Sequence, residues 1–394
     1  MKGFAVYYIE ANVVCMIIFG ILLIHNHFNI DRQEKQIRFD RVLTASSART
    51  KSCTAKRKTA SFSPSGDVFL PAGFPDHRGG FQMERKGIVV FGSVFVDIKG
   101  YPLMKYIPGG RNVGRVVQTH GGVSRNVAED IANVELRPTF VSVVDDTGSG
   151  ADVIERLQKH KVNTEYIVRC PDGMGTWLAV FDNDGDVIAS ISKRPELSPI
   201  LQVLGEHGDE IIGGADSVVV ELDLEVPILR KILALAGKHG KEVYAVVSNM
   251  SIAMERRDLF QQIACLVCNA QEAGLLFSED YCGLSAAELQ PLLQDRLIRS
   301  NIPRIVVTLG KDGAVYAEAG GESGCCASQC VEVIDTTGAG DAFFSGVAIG
   351  LTYGKSLGDA CAIGTRLATS VISTRESVCP RFRPEEFGLT APEE

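Results

Sequence analysis

The chain has 394 residues, 45% of them hydrophobic and 22% charged, with a formal net charge of −8. That is enough apolar residue for a large buried core. The first 82 residues hold 11 Lys/Arg against 6 Asp/Glu, leaving −13 on residues 83–394, and so acidic a body argues against nucleic acid as a partner.

The N-terminal segment differs in character from the rest. Residues 11–24 form an apolar run, shorter than the ~20 residues that cross a bilayer. Residues 44–66 are rich in Ser, Thr, Lys and Arg and are expected to be disordered. Positive charge lies mainly after the apolar run, and a small-residue cleavage site is missing. A membrane anchor, a targeting segment and an upstream start-site misassignment all fit residues 1–82. The third is preferred because Met83 stands directly before the first strand. Membrane contact is expected only if the apolar run is real. Residues 83–394 are then one large domain.

From Lys86 the pattern is regular. Residues 86–96 read as one buried strand with a Gly-Ser interruption, ending at Asp97. Further apolar, β-rich runs fall at 139–144, 217–222, 243–247, 264–268 and 304–308. Helical patterns at 148–160, 226–239 and 286–300 alternate with them. Strands alternating with helices predict an α/β fold, a mostly parallel sheet covered on both faces. Sites in such sheets lie beyond the carboxyl ends of the strands. Segments 113–119 and 175–192 alternate as strands do, the second around the turn Asp182-Asn183-Asp184-Gly185. The Asp145/Asp146 pair reads as a helix cap, and His120 as a turn residue before Gly121-Gly122.

Eleven cysteines, an odd number, suit a reducing cytosol, and the protein is expected to be cytoplasmic. Cys265 and Cys268 read as core thiols. Cys325, Cys326 and Cys330, in an expected hairpin, lack a matching His or second CxxC, so no zinc is assigned.

The run Asp335-Thr336-Thr337-Gly338-Ala339-Gly340-Asp341, then Ala342-Phe343-Phe344, carries the strongest signal. Small residues at 338–340 let backbone N–H groups converge, and a helix starting there adds partial positive charge, so the loop suits an anion. Asp341 at the helix start is a candidate base. An anion cradle beside a base is what phosphoryl transfer to a hydroxyl requires.

This run resembles the C-terminal signature of the ribokinase-like (PfkB) sugar and nucleoside kinases. Gly121-Gly122-Val123-Ser124-Arg125-Asn126-Val127-Ala128 resembles the family's GG-x-x-x-N-x-A signature, and Asn269-Ala270-Gln271-Glu272 its N-x-x-E motif. The resemblance covers residues 86–388. It implies a three-layer ribokinase-like α/β domain with a small β-sheet lid near 113–119 and 175–192. It also implies catalysis by Asp341 with Gly338, Ala339 and Gly340, and acceptor binding by Asp97, Gly121, Gly122 and Asn126. Asn269, Glu272, Thr308 and Gly310 fall on the nucleotide and magnesium side, and a monovalent cation, potassium, near Asp335. ATP with Mg2+ is the implied donor. The acceptor is a sugar or nucleoside, the phosphorylated group a primary hydroxyl.

Ribokinases usually carry a Lys and an Ala within the 121–128 segment, where this chain has Ser124 and Arg125. That stretch, and Thr176-Trp177-Leu178 before an Asp-Asn-x-Gly turn, resemble pseudouridine kinases more. Val144 replaces a usual Gly, and Val246-Val247-Ser248 the common Asp-Pro. Pseudouridine is the first expectation; ribose, fructose or a related ketose the second; a non-catalytic sensor the third. Lys311 reads as a solvated turn residue. A homodimer through the lid is expected, because relatives often pair there.

Overall fold

The computed structural model of the chain divides into residues 1–79 and 80–394, and describes residues 86–389, all of them in the second unit. The expectations for residues 1–82 therefore lie outside the described residues. No described helix is long and apolar enough to cross a membrane.

In chain order the elements are β1 (Ile88–Phe91), β2 (Phe95–Pro102), β3 (Gly114–Gly121), α1 (Val123–Asn133), β4 (Thr139–Val144), α2 (Gly148–Lys159), β5 (Ile167–Arg169), β6 (Gly175–Phe181), β7 (Val187–Lys193), α3 (Pro199–Glu206), α4 (Gly208–Gly213) and β8 (Ser217–Glu221). There follow α5 (Val226–Lys238), β9 (Val243–Val246), α6 (Met250–Ala253), β10 (Cys265–Asn269), α7 (Ala270–Phe277), α8 (Ala286–Ser300), β11 (Arg304–Thr308), β12 (Ala314–Glu318), β13 (Ser323–Cys326), α9 (Ala339–Thr352) and α10 (Leu357–Ile372). The predicted strands and helices from 139 to 308 match these within two residues.

Nine strands form the large sheet in the order β13-β12-β11-β10-β9-β8-β1-β4-β5. All its pairs are parallel except β11–β12 and β12–β13. Its central strands are continuous β-branched runs such as IVVF and SVVVE, as burial on both faces demands. One core packs Val89, Phe91, Val218 and Val220 against α3, α5 and α8; the other packs Ile88, Val90 and Val219 against α1, α9 and α10. The result is three layers.

The second sheet, ordered β3-β2-β6-β7, is the predicted lid. It contains a strand that the sequence reading placed elsewhere. The run 86–96 is not one strand: β1 ends at Phe91 and β2 belongs to the lid. Ser93 N–H donates to the Glu221 carboxylate at 3.0 Å instead of to a neighbouring strand, which ends the first ladder. Asp97 therefore lies inside lid strand β2, not at the end of a central strand. Register places Asp97, Thr119 and Trp177 on one lid face, and Ile98, Leu178 and Ile191 on the other.

Two further expectations are corrected. Asp145 caps no helix: its Oδ1 accepts from Met174 N–H at 2.8 Å, and Thr147 is the N-cap of α2. His120 sits in β3, not in a turn. Cys265 and Cys268 are core thiols, as expected, and a spacing of three on a strand sends them to opposite cores. Cys325 and Cys326 do lie in a hairpin, formed by β12 and β13, while Cys330 lies beyond it.

Candidate active site

The site forms where α9 begins. Gly338 is the N-cap of α9, and its φ of +83° is one that L side chains rarely adopt. A Cβ there would stand 2.0 Å from the Ser377 carbonyl oxygen, so the loop wall is closed by backbone on backbone. No side chain caps this helix end, which leaves its first turn available to an anion.

Asp341 lies in that first turn. Asn126, 215 residues earlier in the first turn of α1, donates from Nδ2 to Asp341 Oδ2 at 2.6 Å. Ser377 Oγ donates to Asn126 Oδ1 at 3.4 Å and orients the amide. Burial pushes the Asp341 carboxyl up to about 7; the Asn126 bond and the Arg125 charge oppose the rise, and the Glu221 and Asp97 charges add to it. A carboxyl poised near neutrality is suited to take a proton from a hydroxyl.

At Gly121 and Gly122 the chain packs closely on itself. A Cβ on Gly121 would fall 2.7 Å from Asp97 Oδ1, and Gly122 has φ +101° with the Ser93 carbonyl oxygen 2.8 Å from a would-be Cβ. Asp97 itself is raised by burial, against the charges of Lys99 and Arg125.

One cavity of about 1340 Å³ is lined by Asp97, Gly121, Gly122, Asn126, Asp335, Gly338 and Asp341 together. Ala339 and Gly340 belong to the same loop but do not line it; Gly340 meets nothing within 4 Å of a would-be Cβ. Asp335 turns inward on its own loop, accepting from Thr337 N–H at 2.9 Å; burial opposes, but this bonding and the Lys99 charge hold its carboxyl below the usual range. A second cavity of about 470 Å³ shares Asp97, Gly122 and Val123 with the first, and is walled by Phe95, Trp177, Leu197, Glu221 and Asp223.

The residues expected on the nucleotide side form a separate group. Asn269 and Thr308 line a third cavity of about 540 Å³, whereas Glu272 and Gly310 do not. Asn269 and Glu272 form a reciprocal capping box on α7, at 2.8 and 2.9 Å. Burial raises the Glu272 carboxyl, and the charge of Asp223 adds to this. Lys311 is exposed, as expected.

The sequence reading missed Glu221. It closes β8, is 3% exposed, and accepts from Ser93, Ser124 Oγ at 2.8 Å and Ser248 Oγ at 2.9 Å. Its signal was available: a carboxylate ending a buried parallel strand. Lys99 was missed as well. It lines the transfer cavity and stands 5.9 Å from the Trp177 ring centroid.

The chain matches the model of the pfkB family carbohydrate kinases over residues 85–380. It is 33% identical over 294 residues to a guanosine-inosine kinase of Exiguobacterium acetylicum, covering 74% of this chain and 95% of that one. It is 28% identical to the pseudouridine kinase of Escherichia coli (strain K12), covering 67% and 83%. The ribokinase of Arabidopsis thaliana, solved with ribose and ATP, superposes with a TM-score of 0.67 at 20% identity, covering 77% and 98%. The fold is thus the ribokinase-like α/β fold, with the smaller sheet as its lid. The expected similarity to pseudouridine kinases holds, but the guanosine-inosine kinase is more similar.

Proposed function

Because this chain belongs to the pfkB family of carbohydrate kinases, phosphotransferases acting on sugars and nucleosides, we propose that its acceptor is the primary hydroxyl of a ribonucleoside, with ATP as donor. The observation that carries this reading is the pair of joined cavities. The sugar sits where they meet, at Asp97, Gly122 and Val123, and the base extends under Trp177 and Phe95. A free pentose leaves the second cavity unused. The substrates of the two related nucleoside kinases support guanosine and inosine first and pseudouridine second.

The chain's own groups account for the transfer. Asp341 accepts the hydroxyl proton, Asn126 fixes its orientation, and the uncapped first turn of α9 faces the charge developing on the transferred phosphoryl. The uncapped start of α9 fits a phosphate, and Gly338 beside it admits no side chain because the Ser377 backbone already occupies the Cβ direction. No group of three or more His, Cys, Asp or Glu among the described residues forms a metal cage. That suits magnesium, which is held chiefly by phosphates and water with one or two carboxylates. Glu272 and Asp223, close enough for the charge of one to act on the other, are the carboxylates that would hold it, and it would there neutralise phosphate charge. Asp335 is assigned to a monovalent cation, potassium. The exposed outer lid residues Val116 and Ile191 support a homodimer through the lid.

A coupled assay of ADP formation by the full chain, with magnesium and potassium, over guanosine, inosine, pseudouridine, ribose and fructose tests the reading. Higher kcat/KM on a nucleoside supports it. Higher kcat/KM on ribose or fructose would return the chain to the sugar kinases.

A further inference from the structure

Beside the Asn126–Asp341 couple lies a buried charge cluster that the transfer chemistry leaves unused. Arg125 is 1% exposed and, among the described residues, is the only basic residue in the buried set. Its Nη1 donates to Glu129 Oε2 at 2.6 Å and its Nη2 to the His120 carbonyl at 2.6 Å. Its Nε has no partner. Glu129 is 0% exposed and is held from its other side by Arg156 of α2, at 2.8 Å, with His160 Nε2 at 3.3 Å. Burial opposes its ionisation, but the Arg156 hydrogen bonds and both arginine charges keep the Glu129 carboxyl below its ordinary range. Arg156 reaches on to Glu376 at 3.5 Å, one residue before the Ser377 that backs Gly338.

Among the described residues, Glu129 is the one carboxylate paired with Arg125, and it is shared with Arg156, which also pairs with the exposed Glu376. Packing alone would be served at least as well by apolar side chains, because a buried guanidinium carries a desolvation cost of several kcal/mol. Its compensation lies around Asp341. The charged groups facing that carboxyl are Arg125 and Asp130 from α1, Asp97 from β2 and Glu221 from β8. Three of the four are carboxyls, and only Arg125 favours the ionised base. The other end of Arg125 holds the His120 carbonyl, at the exit of lid strand β3 and one residue before Gly121. Arg125 itself lines neither joined cavity.

We propose that Arg125 is a positioning residue for phosphoryl transfer, pinning the lid strand at its hinge and setting the charge state of Asp341 through the buried cluster without touching the acceptor. This rests on the reading of Asp341 as the base. Its test does not need an acceptor: the melting temperature of the full chain is compared with that of its Asp341→Asn variant from pH 4 to 9. The separation pH, at which the gap between the two curves reaches its full size, reports the Asp341 titration in the folded chain. In an Arg125→Met background that separation moves up by about one pH unit, the low end for an opposite charge nearby. In an Arg125→Lys background it stays in place, because the charge is kept.

Kinetics on guanosine give the second readout. The acid limb of kcat/KM rises with Arg125→Met, about a tenfold loss below the limb and little above it. Arg125→Lys, unable to reach both partners, raises KM severalfold with kcat retained. Should Arg125→Met fail to fold, the double variant Arg125→Met/Glu129→Gln removes both buried charges and moves the separation pH in the same direction. A separation pH that does not move in either variant overturns the proposal. An active Asp341→Asn enzyme instead overturns the base assignment, a distinguishable failure.

Discussion

Replacing Asp341 by Asn removes the proposed base and at the same time relieves the fold. The carboxyl is raised from 3.8 to about 7, mainly by burial. A tenfold change in proton affinity is worth ~1.36 kcal/mol, so full expression of that rise is ~4 kcal/mol. The residue keeps partial exposure toward the cavity, and solvent screening reduces this to ~1–2 kcal/mol. The sign follows from proton binding. Between pH 4 and 7 the folded state binds the proton that the unfolded chain has released, so stability falls as pH rises through that window and levels off above 7. Asparagine has no such loss and still offers an oxygen to Asn126 Nδ2. The variant should therefore melt higher than the native chain at pH 8 and alike near pH 4, while turnover drops roughly 10²–10⁴-fold. Melting curves of both proteins from pH 4 to 9, beside kcat at pH 8, provide the check. An inactive variant that is no more stable than the native chain at pH 8 would refute the reasoning that burial poises this carboxyl.

Other perturbations separate the parts of the site. Asn126→Ala removes a hydrogen bond to a charged group worth ~1.5–3 kcal/mol, so kcat/KM at pH 7 should fall at least about tenfold and its acid limb, near pH 7 in the native enzyme, should rise; a pH–rate profile with an unmoved limb would count against the coupling. Gly338→Ala meets both the positive φ and the Ser377 carbonyl, and should cost about 1–3 kcal/mol of stability as well as most turnover; a thermal melt and kcat measure both, and near-native values would show that the loop does not need its backbone contact. Trp177→Ala should raise KM for a nucleoside roughly two- to tenfold, from ~0.5–1.5 kcal/mol of ring packing, with little change in kcat or in KM for ribose; equal changes for both acceptors would place the base elsewhere.

Much of this molecule is written locally. Strands such as 139–144 and 304–308 are β-branched runs with clear ends, and α8 opens on a Ser285–Glu288 capping box, so periodicity and punctuation suffice. The 338–341 turn is local too, because one glycine and one helix start define it. What stayed hidden depends on distant partners. Lid strand β2 follows β1 after three residues, and distant partners hold them in two sheets, Glu221 taking Ser93 N–H from 128 residues away and Gly175 N–H donating to the Val94 carbonyl. Glu221 itself is a single carboxylate at a strand end, and its importance appears only when Ser93, Ser124 and Ser248 close around it. Arg125 and Glu129 stand four residues apart on α1, a spacing that does not by itself say whether the pair is solvated or buried. Burial under Arg156 is what changes their meaning.

The most direct measurement is to identify the product formed by the full chain from ATP and guanosine with magnesium and potassium, by 31P NMR of the reaction mixture. A phosphomonoester coupled to the 5′ protons of the nucleoside, absent with Asp341→Asn, is the predicted result. A nucleoside left unphosphorylated while ribose or fructose under the same conditions gains a phosphate would contradict the account.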